Sequence, residues 1–293
     1  MLNKLTDAVT SRIERARVLD KPGDALADAV APVYSNPVVK HVAAGTPIGH
    51  PLHPLLVTVP IGAWTSALLF DALRRPEPAR TLVGLGLLSA LPTAFTGMHD
   101  WTSTSGAERR VGLVHMAANT LALGAYTASW LLRRQGRDGA GLVTSLLGMS
   151  AVGLGGWMGG HLSYALGVGV DTTAFSHAEE RWTDVAAAEE VRAGELAEGD
   201  LDGVPLVLTR LGGRVVAYAD RCTHRGGPLH EGTLADGCVT CPWHGGKFDL
   251  EDGSVVLGPP TRPAAAFEVR EVDGRLQARR LDPRTLRTEP VGR

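Results

Sequence analysis

The sequence has only three cysteines in 293 residues, Cys222, Cys238 and Cys241. So small and odd a number excludes the disulfide framework that holds many small secreted domains together. Charge of one sign is also missing, since 29 Lys and Arg face 31 Asp and Glu and the formal net charge is −2. This balance gives no sign of a nucleic-acid partner, and we expect none.

Charged residues are absent from long parts of the first half of the chain. No Asp, Glu, Lys or Arg occurs over 139–170, whereas charges recur every few residues beyond Asp171. A helix of about 20 apolar residues crosses the hydrocarbon core of a bilayer. A soluble bundle of buried helices is the alternative, but soluble helices usually carry a polar stripe, which these stretches lack. We therefore predict an α + β protein in separate domains, beginning with a four-helix transmembrane bundle over 46–170. Its spans are placed at about 52–73, 81–98, 111–132 and 142–165.

The region before the predicted bundle, 1–45, is read as a polar N-terminal tail. It has no short apolar region followed by a small-residue cleavage site, so we expect no cleaved signal peptide. Trp101 and Trp130 lie at the ends of predicted spans, where they suit interfacial anchors. The segments HPLHPLLVTVPIGAW (50–64) and GGHLSYALGVGV (159–170) resemble a family of bacterial four-helix membrane proteins of unknown function. This resemblance covers about 45–170, implies a multi-pass protein of the bacterial cell membrane, and gives no activity.

Five histidines of the predicted bundle fall toward one membrane side. With four spans, the N-terminal tail, the 99–110 loop and everything after about residue 170 share that side. Ionisable residues on several spans predict a functional site, and neutral imidazole is a natural ligand for haem iron and other transition metals. We therefore predict a haem or metal site there, with Asp100 orienting one ligand. The alternative is that these are packing histidines with satisfied hydrogen bonds. The five are His50, His53, His99, His115 and His161, of which the last four are the predicted ligands.

Beyond residue 170 the pattern changes to short runs of β-branched residues separated by turns. A linker is predicted at 171–182, a small all-β domain at 183–281 and a tail at 282–293. Three hairpins are predicted, at 204–219 with a Gly212-Gly213 turn, at 246–257, and at 266–281 with an Asp273-Gly274 turn.

Two cysteines and two histidines recur as pairs in this second domain. Cys222-x-His224 is followed after sixteen residues by Cys241-x-x-His244. Two thiolates and two imidazoles could bind zinc, although zinc modules more often begin with C-x₂₋₄-C. The alternative is a [2Fe–2S] cluster with two Cys on one iron and two His on the other.

The stretches HRGGPL, CPWHGGKFDL and GSVVLGPP resemble the Rieske family, over about 182–281. The resemblance implies a [2Fe–2S] cluster whose metal ligands are the four residues of the two pairs, with the Pro-rich segment 258–263 covering it. Cys238 lies outside the ligand pattern, and we expect it to be a buried strand thiol. No residue is assigned a catalytic role.

The departures from the family pattern indicate its ferredoxin type. Rieske proteins of respiratory quinol-oxidising complexes carry a disulfide between the cluster loops, where this sequence has Gly227 and Trp243. They also use a Ser and a Tyr hydroxyl as donors to the cluster sulfurs, where this sequence has Gly246 and Phe248. Without these donors the more negative, reduced cluster is less stable, so its reduction potential falls.

The function implied is a membrane-anchored electron-transfer component of an oxidoreductase system. It would pass single electrons between a redox partner protein (a reductase or an oxygenase) and, in the fuller hypothesis, the membrane haem. Since only DPRTLRTEPVGR follows Leu281, we expect no oxygenase domain. The alternative is a membrane-localised redox sensor. The absence of a disulfide pair and of a signal peptide favours a cytoplasmic Rieske domain.

We predict that the cluster has a low reduction potential, near the −150 mV end of the Rieske range of roughly −150 to +300 mV. A potentiometric titration followed by EPR measures it. A midpoint above about +100 mV, in the upper part of that range, would contradict the prediction.

Overall fold

The computed structural model describes residues 2–175 and 180–280. These residues form two compact units, one of helices and one of β-strands. The helical unit comprises residues 2–44 and 51–169. The β unit comprises 45–50 together with the chain from residue 170 onward, so the segment just before the first predicted span belongs to the β unit.

Eight α-helices are described in the helical unit, and the last five cover most of the predicted spans, the first of which is divided between two of them. They are α1 (Leu2–Arg15), α2 (Asp20–Val30), α3 (Pro37–Ala44), α4 (Leu52–Leu56), α5 (Thr58–Ala72), α6 (Pro76–Thr102), α7 (Gly106–Arg134) and α8 (Asp138–Tyr164). Helix α6 begins with Pro76, whose missing N–H costs nothing at a first turn. Helix α7 ends in Arg133 and Arg134, which complement the helix dipole.

Three stretches are long and apolar enough to cross a membrane, by length and composition. They are Leu52–Ala72, Pro76–Thr102 and Asp138–Tyr164. The prediction of four such helices is therefore not confirmed in number. Helix α7 has 29 residues, but the polar side chains of His115, Asn119 and Tyr126 interrupt its apolar sequence.

Glycines let the long helices approach closely, because aromatic rings occupy the space of the missing side chains. A Cβ at Gly86 of α6 would lie 2.1 Å from Nε1 of Trp64 on α5. A Cβ at Gly148 of α8 would lie 2.8 Å from the ring of Tyr126 on α7. The Trp64 and Tyr126 rings stack on each other at 4.1 Å and form the centre of the helical core.

A buried ion pair connects three of these helices at one end of the bundle. Arg133 of α7 donates to both carboxylate oxygens of Asp71 on α5, at 2.6 and 2.7 Å. Its Nε also donates to Ser129, whose hydroxyl lies 2.8 Å from that of Ser145 on α8. The Arg133 side chain is 0% exposed and that of Asp71 7% exposed. Since water does not reach this pair, each charge is compensated mainly by the other.

The region interpreted as a polar tail folds as α1–α3 and contacts the opposite end of the bundle. Arg110, in the first turns of α7, donates to both carboxylate oxygens of Asp20, and its neighbour Arg109 donates to Asp24 at 2.6 Å. Tyr34 donates to the carbonyl of Phe95 at 2.6 Å. The polar residues of this region are thus used to bind the charged start of α7.

Trp101, which the sequence suggests as an interfacial anchor, is buried by neighbouring helices. Trp101 is only 6% exposed, and its Nε1 donates to the carbonyl of Arg109 across the α6–α7 turn. Its ring fills the space beside Gly112, where a Cβ would lie 2.3 Å from it. Trp130 is half-buried, with the guanidinium of Arg134 over its ring at 4.8 Å.

The β unit consists of two antiparallel sheets. The six-stranded sheet has the order β1-β10-β9-β4-β3-β2 and the four-stranded sheet the order β5-β6-β7-β8. The ten strands are β1 (Thr183–Ala187), β2 (Ala197–Leu201), β3 (Val204–Leu211), β4 (Arg214–Ala219), β5 (Thr233–Ala235), β6 (Cys238–Thr240), β7 (Lys247–Asp249), β8 (Val255–Leu257), β9 (Ala266–Val272) and β10 (Arg275–Arg280).

The three predicted hairpins are present as β3–β4, β7–β8 and β9–β10. Asp273 and Gly274 both have positive φ, 50° and 75°, as a tight hairpin turn requires. Within the predicted linker, residues 176–179 lie outside the described residues. Leu281 and the predicted tail 282–293 also lie outside them.

Replacing Asp71 with Ala would leave Arg133 as an uncompensated buried charge. We expect a loss of about 3–5 kcal/mol in the free energy of unfolding, as for other broken buried pairs. Denaturation of the detergent-solubilised protein measures it. Arg134→Gln, which changes an exposed neighbouring Arg, is the matched control. An equal effect of the two substitutions would contradict this account of the pair.

Candidate metal centre

Two loops of the same construction carry the predicted ligands. Loop 1, Cys222–Gly227, lies between β4 and β5, and loop 2, Cys241–Gly246, lies between β6 and β7. In each loop the cysteine N–H donates to the carbonyl five residues on, and its own carbonyl accepts from the N–H four residues on. The donors to these cysteine carbonyls, Gly226 and Gly245, have φ of 73° and 68°, which glycine adopts without strain. The different spacings, C-x-H and C-x-x-H, thus fit one loop geometry.

The loops separate the two kinds of ligand. Cys222 and Cys241 are 2% and 3% exposed and belong to an apolar core with Leu229, Val239 and Phe248. His224 and His244 are half-buried, and their ring centroids lie 5.0 Å apart. The structure therefore brings the predicted ligands together as two pairs, with the thiols inside and the imidazoles toward the surface.

The two thiols contact each other directly. A side-chain hydrogen bond with Cys241, followed by burial, raises the pKa of the Cys222 thiol. Two thiols so placed do not ionise readily without a cation between them, and a bound metal deprotonates thiols outright. The donor set, two adjacent sulfurs and two adjacent imidazoles, fits a [2Fe–2S] cluster with Cys₂ on one iron and His₂ on the other.

The Pro-rich segment 258–263 closes against loop 2. A Cβ at Gly246 would lie 2.4 Å from Cδ of Pro260, so glycine is required for this approach. Thr223 of loop 1 donates to the carbonyl of Arg262 at 2.8 Å. The segment thus contacts both loops, and its role in covering a cluster stays a prediction.

Other side chains occupy the space around the positions where quinol-oxidising Rieske proteins have the disulfide and the hydroxyl donors. A Cβ at Gly227 would lie 2.9 Å from Sγ of Cys241 and 3.0 Å from the ring of Trp243. The indole therefore packs where the link between the loops would run. Phe248 is 0% exposed within the core that holds the cysteines, and its side chain has no hydroxyl to donate.

An Asp–His pair braces the base of loop 1. The buried carboxylate of Asp220 accepts from the N–H of His230 at 2.7 Å and pairs with its Nδ1 at 2.8 Å. Burial is the largest single influence on His230 and lowers its pKa, but the hydrogen bond with Asp220 and the nearby carboxylates raise the pKa overall. Neither residue is among those predicted from the sequence.

Two threonines of the β unit that are distant from the loops in sequence also contact the site. Thr172 donates its hydroxyl to the carbonyl of Cys222 at 3.0 Å, and its N–H donates to the carbonyl of Thr223. Thr46 donates to the carbonyl of Pro260 at 2.9 Å. These partners lie 50 and 214 residues away in the chain. A local motif gives no signal for contacts at such separations.

Cys238 lies buried at the start of β6, as expected for a strand thiol. Burial raises its pKa, and its Sγ contacts the carbonyl of Asp236 at 3.6 Å. Cys238 therefore has a local partner within its own hairpin.

The histidines predicted to form a membrane site are not all brought together. His53 and His115 face each other, with ring centroids 6.5 Å apart. His99 contacts Asp100 at 3.2 Å and Tyr34, and His161 pairs with Glu14 at 2.7 Å. His50 belongs to the β unit. Over residues 2–175 and 180–280, no three His, Cys, Asp or Glu side chains converge as ligands of a single ion.

Comparison with protein families identifies both parts of the chain. Residues 181–270 match the Rieske [2Fe-2S] domain, and residues 49–172 match a predicted membrane protein family, DUF2231.

Individual relatives match the β unit. The ferredoxin subunit of anthranilate 1,2-dioxygenase from Burkholderia cepacia is 33% identical over 96 residues, which are 33% of this chain and 89% of the relative. Ferredoxin CarAc from Metapseudomonas resinovorans is 36% identical over 94 residues, 32% of this chain and 88% of the relative. A solved complex of reduced oxygenase and oxidized ferredoxin in carbazole 1,9a-dioxygenase contains a chain that is 32% identical. The match covers 36% of this chain and 100% of that chain, with a TM-score of 0.33.

Replacing Gly246 with Ala should displace the Pro-rich segment, because the new methyl group would overlap the Pro260 ring. We expect the cluster of the variant to be lost faster than that of the natural chain, as followed by visible absorbance during incubation with a chelator. The double variant G246A/P260A, which removes the overlapping ring atoms, should recover part of this loss. A single variant as long-lived as the natural chain would show that the contact is unimportant.

Proposed function

The chain belongs to the Rieske [2Fe–2S] family, and we propose that it is a membrane-anchored, low-potential carrier of single electrons. The observation that carries this proposal is the division of ligands between the two loops. Cys222 and Cys241 lie inside the apolar core, and His224 and His244 lie toward the surface. A cluster held this way exposes its histidine-bound iron to a docking partner, while the protein interior shields the other iron.

The low potential is supported by the absence of side-chain donors at two positions. Gly246 has no room for a larger side chain beside Pro260, and Phe248 is buried without a hydroxyl. Donors to cluster sulfurs stabilise the reduced state, so their absence favours the oxidised one. A low potential suits a carrier that receives electrons from a reductase.

The partner proposed is a reductase or an oxygenase. Several relatives that match the β unit are named as ferredoxin components of dioxygenase systems. Trp243, next to the ligand His244, is 56% exposed. A large exposed aromatic ring beside the cluster is the type of residue that is enriched at protein interfaces. We assign it to the docking surface.

Membrane anchoring is supported by the surface of the helical unit as well as by length. Many of its leucines point outward; Leu69, Leu88, Leu91, Leu121 and Leu147 are each 59–71% exposed. Lipid is the solvent that suits such a surface. These side chains lie on α5, α6, α7 and α8.

Helix α7 is proposed as the fourth crossing helix because it accompanies α8 over much of its length. Ser129 of α7 donates to the carbonyl of Gly141 near one end of α8. His115 of α7 contacts the carbonyl of Gly155 toward the other end. At 1.5 Å per residue the 29 residues of α7 span about 43 Å, enough to cross a bilayer. Four crossings place the N-terminus and the Rieske domain on one side, proposed to be cytoplasmic.

Reporter fusions test this topology. Fluorescent and periplasmic reporters are fused in turn to the N-terminus and the C-terminus of the full chain. Four crossing helices predict that both ends report the same compartment, the cytoplasm. Three crossings would place the ends in opposite compartments, and two periplasmic ends would reverse the proposed orientation.

Electron transfer is tested with the purified full-length protein and an NADH-dependent ferredoxin reductase of a dioxygenase system. We expect reduction of the cluster, followed by reoxidation when the matching oxygenase is added. Cys222→Ser should abolish both steps, whereas Cys238→Ser, the same change at a thiol outside the ligand set, should preserve them. A cluster that exchanges electrons with neither protein, yet responds to oxidants, would favour the redox-sensor alternative.

A further inference from the structure

Two imidazoles face each other inside the helical unit, and we infer that they form a haem-binding site with His53 and His115 as the axial ligands of the iron. His53 lies on α4 and His115 on α7, with their ring centroids 6.5 Å apart and their planes at 83°. Two metal–nitrogen bonds of about 2 Å each, together with the distance from each ring centroid to its nitrogen, span roughly 6 Å. The observed separation therefore suits one metal between the two rings.

Hydrogen bonds fix both rings in the form that binds metal. His53 Nδ1 lies 2.9 Å from the carbonyl of Thr93, and His115 Nδ1 lies 2.8 Å from the carbonyl of Gly155. Since a carbonyl oxygen only accepts, each Nδ1 carries the proton, and each Nε2 presents its lone pair when the ring is neutral. Metal-ligating histidines are commonly held in this way, with the other ring nitrogen donating to a backbone carbonyl.

The two histidines belong to different halves of the bundle. The tightest helix contacts are those of α5 with α6 and of α7 with α8. His53 is hydrogen-bonded to the carbonyl of Thr93 on α6. His115, on α7, is hydrogen-bonded to the carbonyl of Gly155 on α8. A planar ligand between the rings would thus lie at the interface between the two helix pairs.

Glycines on the neighbouring helices keep side chains away from both rings. A Cβ at Gly97 of α6 would lie 2.7 Å from Cε1 of His53, so no larger residue fits there. A Cβ at Gly159 of α8 would lie 3.3 Å from Cε1 of His115. These positions allow the rings to lie close against the helix backbones.

The number of ligands favours haem over a bare ion. Across the described ranges, 2–175 and 180–280, no third His, Cys, Asp or Glu joins the pair as a ligand. Zinc in proteins has at least three protein ligands. Haem iron brings four equatorial nitrogens of its own, so two axial imidazoles complete its coordination.

Asn119 contacts the same ligand nitrogen and would be displaced by the iron. Its side-chain amide lies 3.1 Å from Nε2 of His115, one turn away on α7. The same amide donates to the backbone carbonyl of His115 at 2.9 Å. It therefore keeps a partner when the metal takes the imidazole.

The other two histidines of the earlier four-residue hypothesis are excluded from the ligand set. His161 pairs through Nε2 with Glu14 of α1 at 2.7 Å. His99 is 4% exposed and is held between Asp100 and the edge of Tyr34. His161 and His99 thus connect the N-terminal region to the end of the bundle, through Glu14 and Tyr34 respectively.

The test is haem content and optical spectroscopy of the full-length protein, produced with a haem precursor in the medium and purified in detergent. We expect about one haem per chain, with the spectrum of a low-spin, bis-histidine species. His53→Ala and His115→Ala should each lower haem content by roughly tenfold or more. His161→Gln and Asn119→Ala should retain it.

Further measurements separate ligation from folding. His53→Met offers a different axial ligand at the same position, so it should shift the spectrum of the bound haem. EPR of the reduced cluster should be unchanged in the His53 and His115 variants, and Cys222→Ser should lose the cluster but keep the haem. The inference is overturned if the natural chain with an intact cluster binds no haem, or if His161→Gln loses as much haem as His53→Ala. Neither result would affect the proposed cluster function.

Discussion

The β unit depends on holding two thiols side by side in an apolar core while two imidazoles reach toward the surface. Cys222 and Cys241 are nearly inaccessible and contact each other, an arrangement that is costly to ionise without a metal. Each loop meets this constraint with the same backbone hydrogen bonds around its cysteine and with a glycine of positive φ. In loop 2 the next residue is Gly246, and the ring of Pro260 occupies the space that a side chain there would need. The four predicted ligands therefore lie on two loops that the strands bring together.

Two residues of the β unit that are distant from these loops in sequence also bind the site. Thr46, in the segment 45–50, donates to the carbonyl of Pro260 in the Pro-rich segment, and Thr172 donates to the carbonyl of Cys222. A relative named as the ferredoxin component of a dioxygenase system is matched over 88% of its length by the β unit alone, whereas here this unit is continuous with a helical one. This continuity is the physical basis for proposing a carrier confined to a membrane surface.

Much of the β unit could be predicted from the sequence because its signals are local. Turn residues such as Asp273-Gly274 mark a hairpin directly, and the spacing of Cys and His within each loop selects the ligands. The helical unit is harder to predict, because apolar runs indicate where its long helices lie but not which helices pack against each other. The burial of Trp101 depends on Gly112 of the next helix, and the ion pairs of α2 are made with Arg109 and Arg110, far along the chain. The same reason explains why four similar histidines could not be sorted by sequence, because each is distinguished only by its neighbours in space.

The division of ligands between two irons is the central claim, and Mössbauer spectroscopy of ⁵⁷Fe-enriched full-length protein tests it most directly. A cluster with Cys222 and Cys241 on one iron and His224 and His244 on the other predicts two unequal iron sites in equal amounts. On one-electron reduction, the added electron should reside on the histidine-bound iron. Two equivalent irons, or a protein that binds zinc in place of iron, would contradict the account.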